Sequence, residues 1–187
     1  MLRQSLALFA MASAAIPAIA QTYTVDPRHT HITWAVTRVG ALTFRGKLVR
    51  NSGKVVLDAG AGKGEVEILI DARGQATGLD TLDAVMQDES FFYAAKFPTA
   101  SFKSSRIAFN GQAPARIEGD LTLLGVTKPV TLTVTRFLCG VNSFTGKNFC
   151  GADATATITR SDWGMKSWMT IAGDEVKLDI GIEAYKD

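Results

Sequence analysis

His29 and His31 are the only histidines in the chain, and they stand two residues apart. On a strand that spacing puts both rings on one face, the bite of a two-ligand metal site, with Asp26 as a nearby carboxylate. No other His completes it. A polar strand face, or a His closing the Asp26-Pro27 turn, accounts for the pair more simply, and no metal is expected. Cys139 and Cys150 are the only cysteines, and neither has a Cys or His beside it. In an exported chain such a pair forms a disulfide. Closing the ten residues between them, GVNSFTGKNF, contributes about 2–3 kcal/mol by the chain-entropy argument. Oxidised cysteines are poor nucleophiles. The chain has no G-x-S-x-G and no glycine pattern that cradles phosphates. Asp162 beside Trp163 has the form of a carboxylate raised by an aromatic wall, but a turn aspartate is the reading favoured. Arg160 falls on the inward parity of its strand. A buried charge needs a partner, and Asp26, Asp162 or a ligand head group are the candidates; the alternative is an arginine reaching solvent at the strand's end. No catalytic residue and no cofactor are expected. Asp26, His29 and Arg160 are candidates for the polar end of a ligand.

The segments that hold these residues alternate with period two. Ile32, Trp34 and Val36 oppose His31, Thr33 and Ala35. Val66, Ile68 and Ile70 oppose Glu65 and Glu67; Val130, Leu132 and Val134 oppose three threonines. Ala152, Ala154, Ala156 and Ile158 form another inward set, and Val176, Leu178, Ile180 and Ile182 the last. Ala100 and Phe102 share one parity and Ile107 and Phe109 the other, so a β-bulge near Ser104-Ser105 is expected. Asn110-Gly111 reads as a hairpin turn, and Gly125 to Lys128 as another. About eight strands joined by short turns favour antiparallel neighbours. An all-β, up-and-down barrel follows, with a sandwich as the alternative. Such a barrel is either filled by its own side chains or holds one small ligand. The small residues Ala152, Ala154, Ala156 and Gly119 favour a cavity.

One stretch breaks the pattern. Over residues 79–96 the apolar positions Leu79, Leu82, Val85 and Met86 span an arc of roughly 120° at about 100° per residue. Phe91, Phe92 and Tyr93 follow, and Pro98 ends the insert. A short helix here lids or lines the barrel mouth, since a closed barrel leaves no edge for it to cover.

The chain has 187 residues with 20 basic and 18 acidic side chains. Residues 1–20 carry Arg3, an apolar run and Ala18-Ile19-Ala20, the pattern of a secretory signal peptide cleaved after Ala20. The apolar run is shorter than the ~20 residues that cross a bilayer, so no integral membrane segment is expected in the mature chain. Without residues 1–20, the single domain 21–187 holds 19 basic and 18 acidic residues. This balance, with basic residues scattered, argues against nucleic acid.

Four segments together resemble the YceI-like, polyisoprenoid-binding, lipocalin-like periplasmic proteins. They are VDPRHTHITWAV at 25–36, ESFFYAAKFPTASFKS at 89–104, GDLTLLGVTKPVTLTV at 119–134 and TRSDWGM at 159–165. The resemblance covers nearly the whole mature chain. It implies an extended eight-stranded antiparallel lipocalin-like barrel, with the helical insert at 79–96 helping to close it. It implies a periplasmic location and an interior that takes an isoprenoid lipid or quinone. It brings no catalytic residues. This chain departs from the family's pattern in the insert, where Leu82-Asp83 and Gln87-Asp88 stand in place of an Arg-Asp pair. It also has Thr30 where Ser is common, and the cysteine loop is an elaboration.

The tail-binding set expected from inward parity is Trp34, Val36, Val66, Ile68, Phe102, Leu132, Val134, Ile180 and Ile182, with Leu82, Met86, Phe91 and Phe92 from the insert. The function expected is non-catalytic binding, with transport or storage, of a long-chain isoprenoid amphiphile. The alternatives are a structural or stress-response module without a stable ligand, and a barrel enzyme acting on a small lipid or quinone. A homodimer is left open.

Overall fold

The computed structural model describes residues 20–187. The leader reading therefore falls outside the described residues, apart from Ala20. Eleven strand segments follow in order: β1 (Gln21–Val25), β2 (His31–Arg38), β3 (Leu42–Leu48), β4 (Asn51–Asp58), β5 (Lys63–Asp71), β6 (Gln75–Ala76), β7 (Thr99–Asn110), β8 (Ala113–Leu123), β9 (Val126–Val141), β10 (Asn148–Thr159) and β11 (Ala172–Lys186). One helix, α1 (Asp80–Gln87), separates β6 from β7, and a 3₁₀ turn (Arg160–Trp163) follows β10.

All pairings are antiparallel. β1 pairs with both β4 and β11, so the ring β1-β4-β5-β7-β8-β9-β10-β11 closes on itself. β2 continues the stave that β1 begins, along the rest of β11, and β3 runs on into β4. Eight staves are thus built from eleven segments. The break between β1 and β2 is the turn Asp26–Thr30. There the Thr30 hydroxyl accepts from the Glu183 N–H at 3.1 Å and donates to the Glu183 carbonyl at 3.3 Å. A side chain so replaces the ladder bonds that the turn forfeits.

Closure does not remove every edge. β3 pairs with β2 along its length, but on its other side only Lys47 and Leu48 find a strand, β6, among the described residues. The segment that carries α1 leaves the sheet at this fork. The helix proper ends at Gln87, well short of the expected residue 96. Beyond it Phe92 N–H bonds to the Met86 carbonyl and Ala94 N–H to the Gln87 carbonyl. These spans exceed the α-helical one, so the chain folds back beneath the helix end. The helix supplies Leu82, Val85 and Met86, and the fold-back supplies Phe91 and Phe92.

The expected bulge sits at Ser105, between the pairs Ser104↔Gly119 and Arg106↔Glu118. The β7–β8 hairpin turns at Gly111, with φ +62°. The next turn falls at Leu124-Gly125, both left-handed, one residue before the expected place, and Val126 already pairs with Leu123. At the far end of the barrel, Cys139 and Cys150 face each other across β9 and β10 and are disulfide-bonded.

A candidate ligand cavity and its mouth

Inward side chains from all eight staves enclose a cavity of about 460 Å³, within the ~300–1,000 Å³ usual for small-molecule sites. It runs from Ile107 and Pro114 near the disulfide end to Leu79, Trp168 and Ile171 at the helix end. Apart from the indoles of Trp34 and Trp168, the polar side chains on its wall are Thr30, Arg38 and Arg160. Leu79, Trp168 and Ile171 are the lining residues that are exposed, so the cavity opens at the helix end.

The wall has two textures. Two aromatics sit over glycines on adjacent strands: a Cβ on Gly119 would lie 2.6 Å from the Phe102 ring, and one on Gly46 would overlap the Trp34 indole. These glycines are the notches into which the rings pack. Gly119 therefore seats Phe102 and does not open space, contrary to the expectation. Ala152 and Ala154 do border the cavity. They stand across from Ile182 and Ile180 on β11, and from Phe137 and Val134 on β9.

All thirteen residues expected to line a tail site, Trp34, Val36, Val66, Ile68, Leu82, Met86, Phe91, Phe92, Phe102, Leu132, Val134, Ile180 and Ile182, lie on the cavity wall. The same parity would have included Ile32, Arg38 and Leu178. Trp168 and Ile171 could not be found that way, because they come from an aperiodic loop.

Arg160 is only 3% exposed. Its Nε donates to the Gly173 carbonyl at 2.9 Å, Nη1 to Met165 at 2.9 Å and Nη2 to Ala172 at 2.8 Å. Nη2 also meets Met169 Sδ at 3.1 Å, and the guanidinium lies over the Phe91 ring, 6.0 Å from its centroid. The expected partners Asp26 and Asp162 play no part. Neutral carbonyls satisfy the N–H groups, while the nearby carboxylate of Asp174 is engaged by Ser161. Burial pulls the Arg160 pKa below its usual range, opposed by the Asp174 charge. Arg160 thus pins both ends of the loop 164–173 and leaves an incompletely neutralised charge beside the cavity. Asp162 itself is an exposed turn residue. Trp163 is buried and donates to the Leu121 carbonyl at 3.1 Å.

Asp26 and His29 are not on the wall. Asp26 accepts two bonds of 3.0 Å from the Arg28 guanidinium and one of 3.0 Å from its backbone N–H. The Arg28 side chain, more than any other cause, holds the Asp26 carboxyl well below the usual range. His29 Nδ1 lies 2.9 Å from Asp26 and 3.6 Å from Glu183. This cluster faces outward with His29 largely exposed, because residue 29 lies in the turn, before the strand parity begins at His31. The two histidines consequently share no face. The ligand atoms of Asp26, His29 and Glu183 do approach one another within 4.8 Å, but Arg28 already supplies the positive charge there. The arrangement clamps the β1–β2 turn.

A closed antiparallel barrel around an apolar cavity, with one helical lid and one buried arginine at its mouth, defines a small-ligand-binding calyx. The chain belongs to the YceI-like family, whose domain matches residues 23–184. It is 31% identical over 170 residues to a UPF0312 protein of Shewanella denitrificans, covering 89% of this chain and 88% of that one. A UPF0312 protein of Pseudomonas aeruginosa is 30% identical over 192 residues, covering 100% of both. Among solved structures, BcnA of Burkholderia cenocepacia is similar with a TM-score of 0.69 at 24% identity, covering 86% of this chain and 99% of that one. A polyisoprenoid binding domain from Saccharophagus degradans, implicated in plant cell wall breakdown, gives 0.65 at 16% identity, covering 89% and 99%. At these identities the two structures speak for the fold.

Proposed function

We propose that this protein is exported to the periplasm and there binds, without catalysis, a long-chain isoprenoid amphiphile that it carries or stores. The observation that carries this is the cavity wall: hydrocarbon and aromatic side chains from every stave, with polarity confined to Thr30, Arg38, Arg160 and the indole N–H groups of Trp34 and Trp168. The neighbour described as a polyisoprenoid binding domain shares the barrel and supports the same reading. Burying hydrocarbon gains about 0.8 kcal/mol per CH₂ relative to water, so a few isoprene units favour the cavity by well over ~10 kcal/mol. A bilayer hides the same tail equally well, so net affinity rests on shape and on the head group. The thirteen wall residues named above hold the tail, and Arg160 stands at the polar end. Among the described residues the wall holds no His, Cys, Asp, Glu, Lys or Tyr, which favours binding over general acid–base chemistry at neutral pH.

Native mass spectrometry and organic extraction of the protein purified from its own periplasm test this. A co-purifying isoprenoid is expected, and Leu132→Trp or Ile180→Trp abolishes it while the fold is kept. Lipid content unchanged by both substitutions overturns the assignment of the cavity.

A further inference from the structure

The mouth of the cavity is ringed by exposed apolar side chains that the barrel itself does not use. Val39 and Leu42 flank the β2–β3 turn, Leu79 precedes α1, and Trp168, Met169 and Ile171 come from the loop after the 3₁₀ turn. Their exposure runs from 38% to 61%. They form one patch: Val39 N–H bonds to the Ile171 carbonyl at 2.8 Å, Trp168 packs edge-on to Phe91 at 6.1 Å, and Leu79, Trp168 and Ile171 border the opening. A contiguous apolar patch of this kind marks an interaction surface.

We propose that this rim is a docking surface for a phospholipid bilayer. The occupant follows from what the rim encloses. It is the lip of a hydrocarbon-lined cavity, and a bilayer continues that hydrocarbon phase, whereas a folded partner would plug it. Rim charges fit a phosphate-bearing surface: Arg38 lies over the Phe44 ring, 5.2 Å from its centroid, and Lys166 is exposed. Among the described residues neither has a carboxylate within ion-pair distance. Exposed acidic groups at the same end, Asp80, Asp88, Glu89, Asp162 and Glu175, offset these cations, so the apolar ring carries the binding. An indole with an apolar body and a polar N–H suits the headgroup boundary. The loop is also preorganised. Trp168 is held at φ +58°, and its carbonyl accepts from both Ile171 and Ala172. Arg160 ties the carbonyls on either side, so little ordering is left for docking to cost. The second exposed apolar group, Leu138, Val141 and Phe144 at the disulfide hairpin, surrounds no opening.

The proposal draws its purpose, but not its evidence, from the lipid-carrier reading, and the test separates the two. The delipidated mature chain is mixed with vesicles of phosphatidylethanolamine and a minor share of phosphatidylglycerol, containing no isoprenoid, and floated on a density gradient. The protein is expected to float with the vesicles. Because Trp34 and Trp163 are 6% and 3% exposed, the blue shift of tryptophan emission on docking comes from Trp168. Val39→Asn with Leu79→Gln is expected to lower the bound fraction about tenfold or more. Asn suits the left-handed backbone of residue 39 (φ +50°), so the fold is kept, as near-UV circular dichroism verifies. Wild-type protein that stays in solution overturns the proposal. So does equal flotation of the double variant, or loss of flotation in Phe144→Ser alone. Isoprenoid content is read separately on the untreated preparation.

Discussion

The barrel's two sides, β5 to β8 and β10 to β11, follow the same inward-outward alternation and end with different interiors. On β5, β7 and β8 the inward residues Val66, Ile68, Ile70, Ala100, Phe102, Ile117, Leu121 and Leu123 are buried, and Ile107 alone on that stretch of the wall is half-buried. On β10 and β11 the inward residues Ala152, Ile158, Val176, Leu178, Ile180 and Ile182 keep part of their surface open, while Ala154 is buried. Both sides line the cavity, but the first is the more closely packed, with an aromatic ring seated over a glycine notch. The second has Ala152 and Ala154 on the wall and no aromatic ring of its own there, and its long aliphatic neighbours stay half-buried. Hydrophobic alternation alone does not tell a tightly packed stretch of wall from a loosely packed one; the volumes of neighbouring side chains do.

Truncation is expected to break that contrast most sharply. Phe102→Ala removes the ring that fills the Gly119 notch and costs about 3–5 kcal/mol. Ile182→Ala, beside space that is already open, costs at or below the ~2 kcal/mol lower end for such a change. Chemical denaturation of the two variants compares them; equal losses would show the second side to be as well packed as the first. Arg160→Leu leaves the Met165, Ala172 and Gly173 carbonyls unpaired. It is expected to cost about 1–3 kcal/mol for each carbonyl left buried without a partner and to raise hydrogen exchange in 164–173 specifically, since it frees the mouth and not the packed side. Replacing Cys139 and Cys150 with Ala lowers stability by about 2–3 kcal/mol without changing ligand content, because the hairpin lies at the end opposite the mouth; thermal unfolding reads the first and extraction the second.

The smallest and most pH-dependent effect belongs to the outward clamp. The folded-state pKa of Asp26 is depressed, chiefly by Arg28. Its stabilisation is therefore present above the unfolded carboxylate pKa of about 3.9 and is lost as pH falls further toward the folded value. Because Arg28 is largely exposed, Asp26→Asn is expected to cost only about 1 kcal/mol near neutral pH and to flatten the loss of stability below about pH 4. Asp71, Asp174 and Asp187 are depressed as well, so part of the acid limb remains. Urea titrations from pH 7 to about 2.5 check this, and ligand content at neutral pH is expected to stay unchanged.

Much of this was legible in the chain. The period-two pattern names inward residues correctly on strand after strand because a one-residue slip would turn every side chain to the wrong face. The bulge at Ser105 was readable from the change of phase between Phe102 and Ile107, and the Cys139–Cys150 disulfide from its turn-rich loop. The apolar arc of α1 was readable too, although not its early end at Gln87, which backbone bonds beneath the helix decide. Strand parity does not reach His29, because that residue lies in the turn. A missing side chain at Gly119 looks like space until its neighbour Phe102 is known.

Local pattern therefore settled which side chains face inward, since alternation depends only on the strand's own geometry. Tertiary structure decided the rest. Whether an inward face is full or hollow depends on residues far apart in sequence, as with Phe102 in the notch of Gly119 and Ile180 beside Ala154. The partners of Arg160 are backbone carbonyls, which no residue type announces. The exposed rim gathers Val39, Leu79 and Trp168 from three separate connections, and only barrel closure brings their ends together.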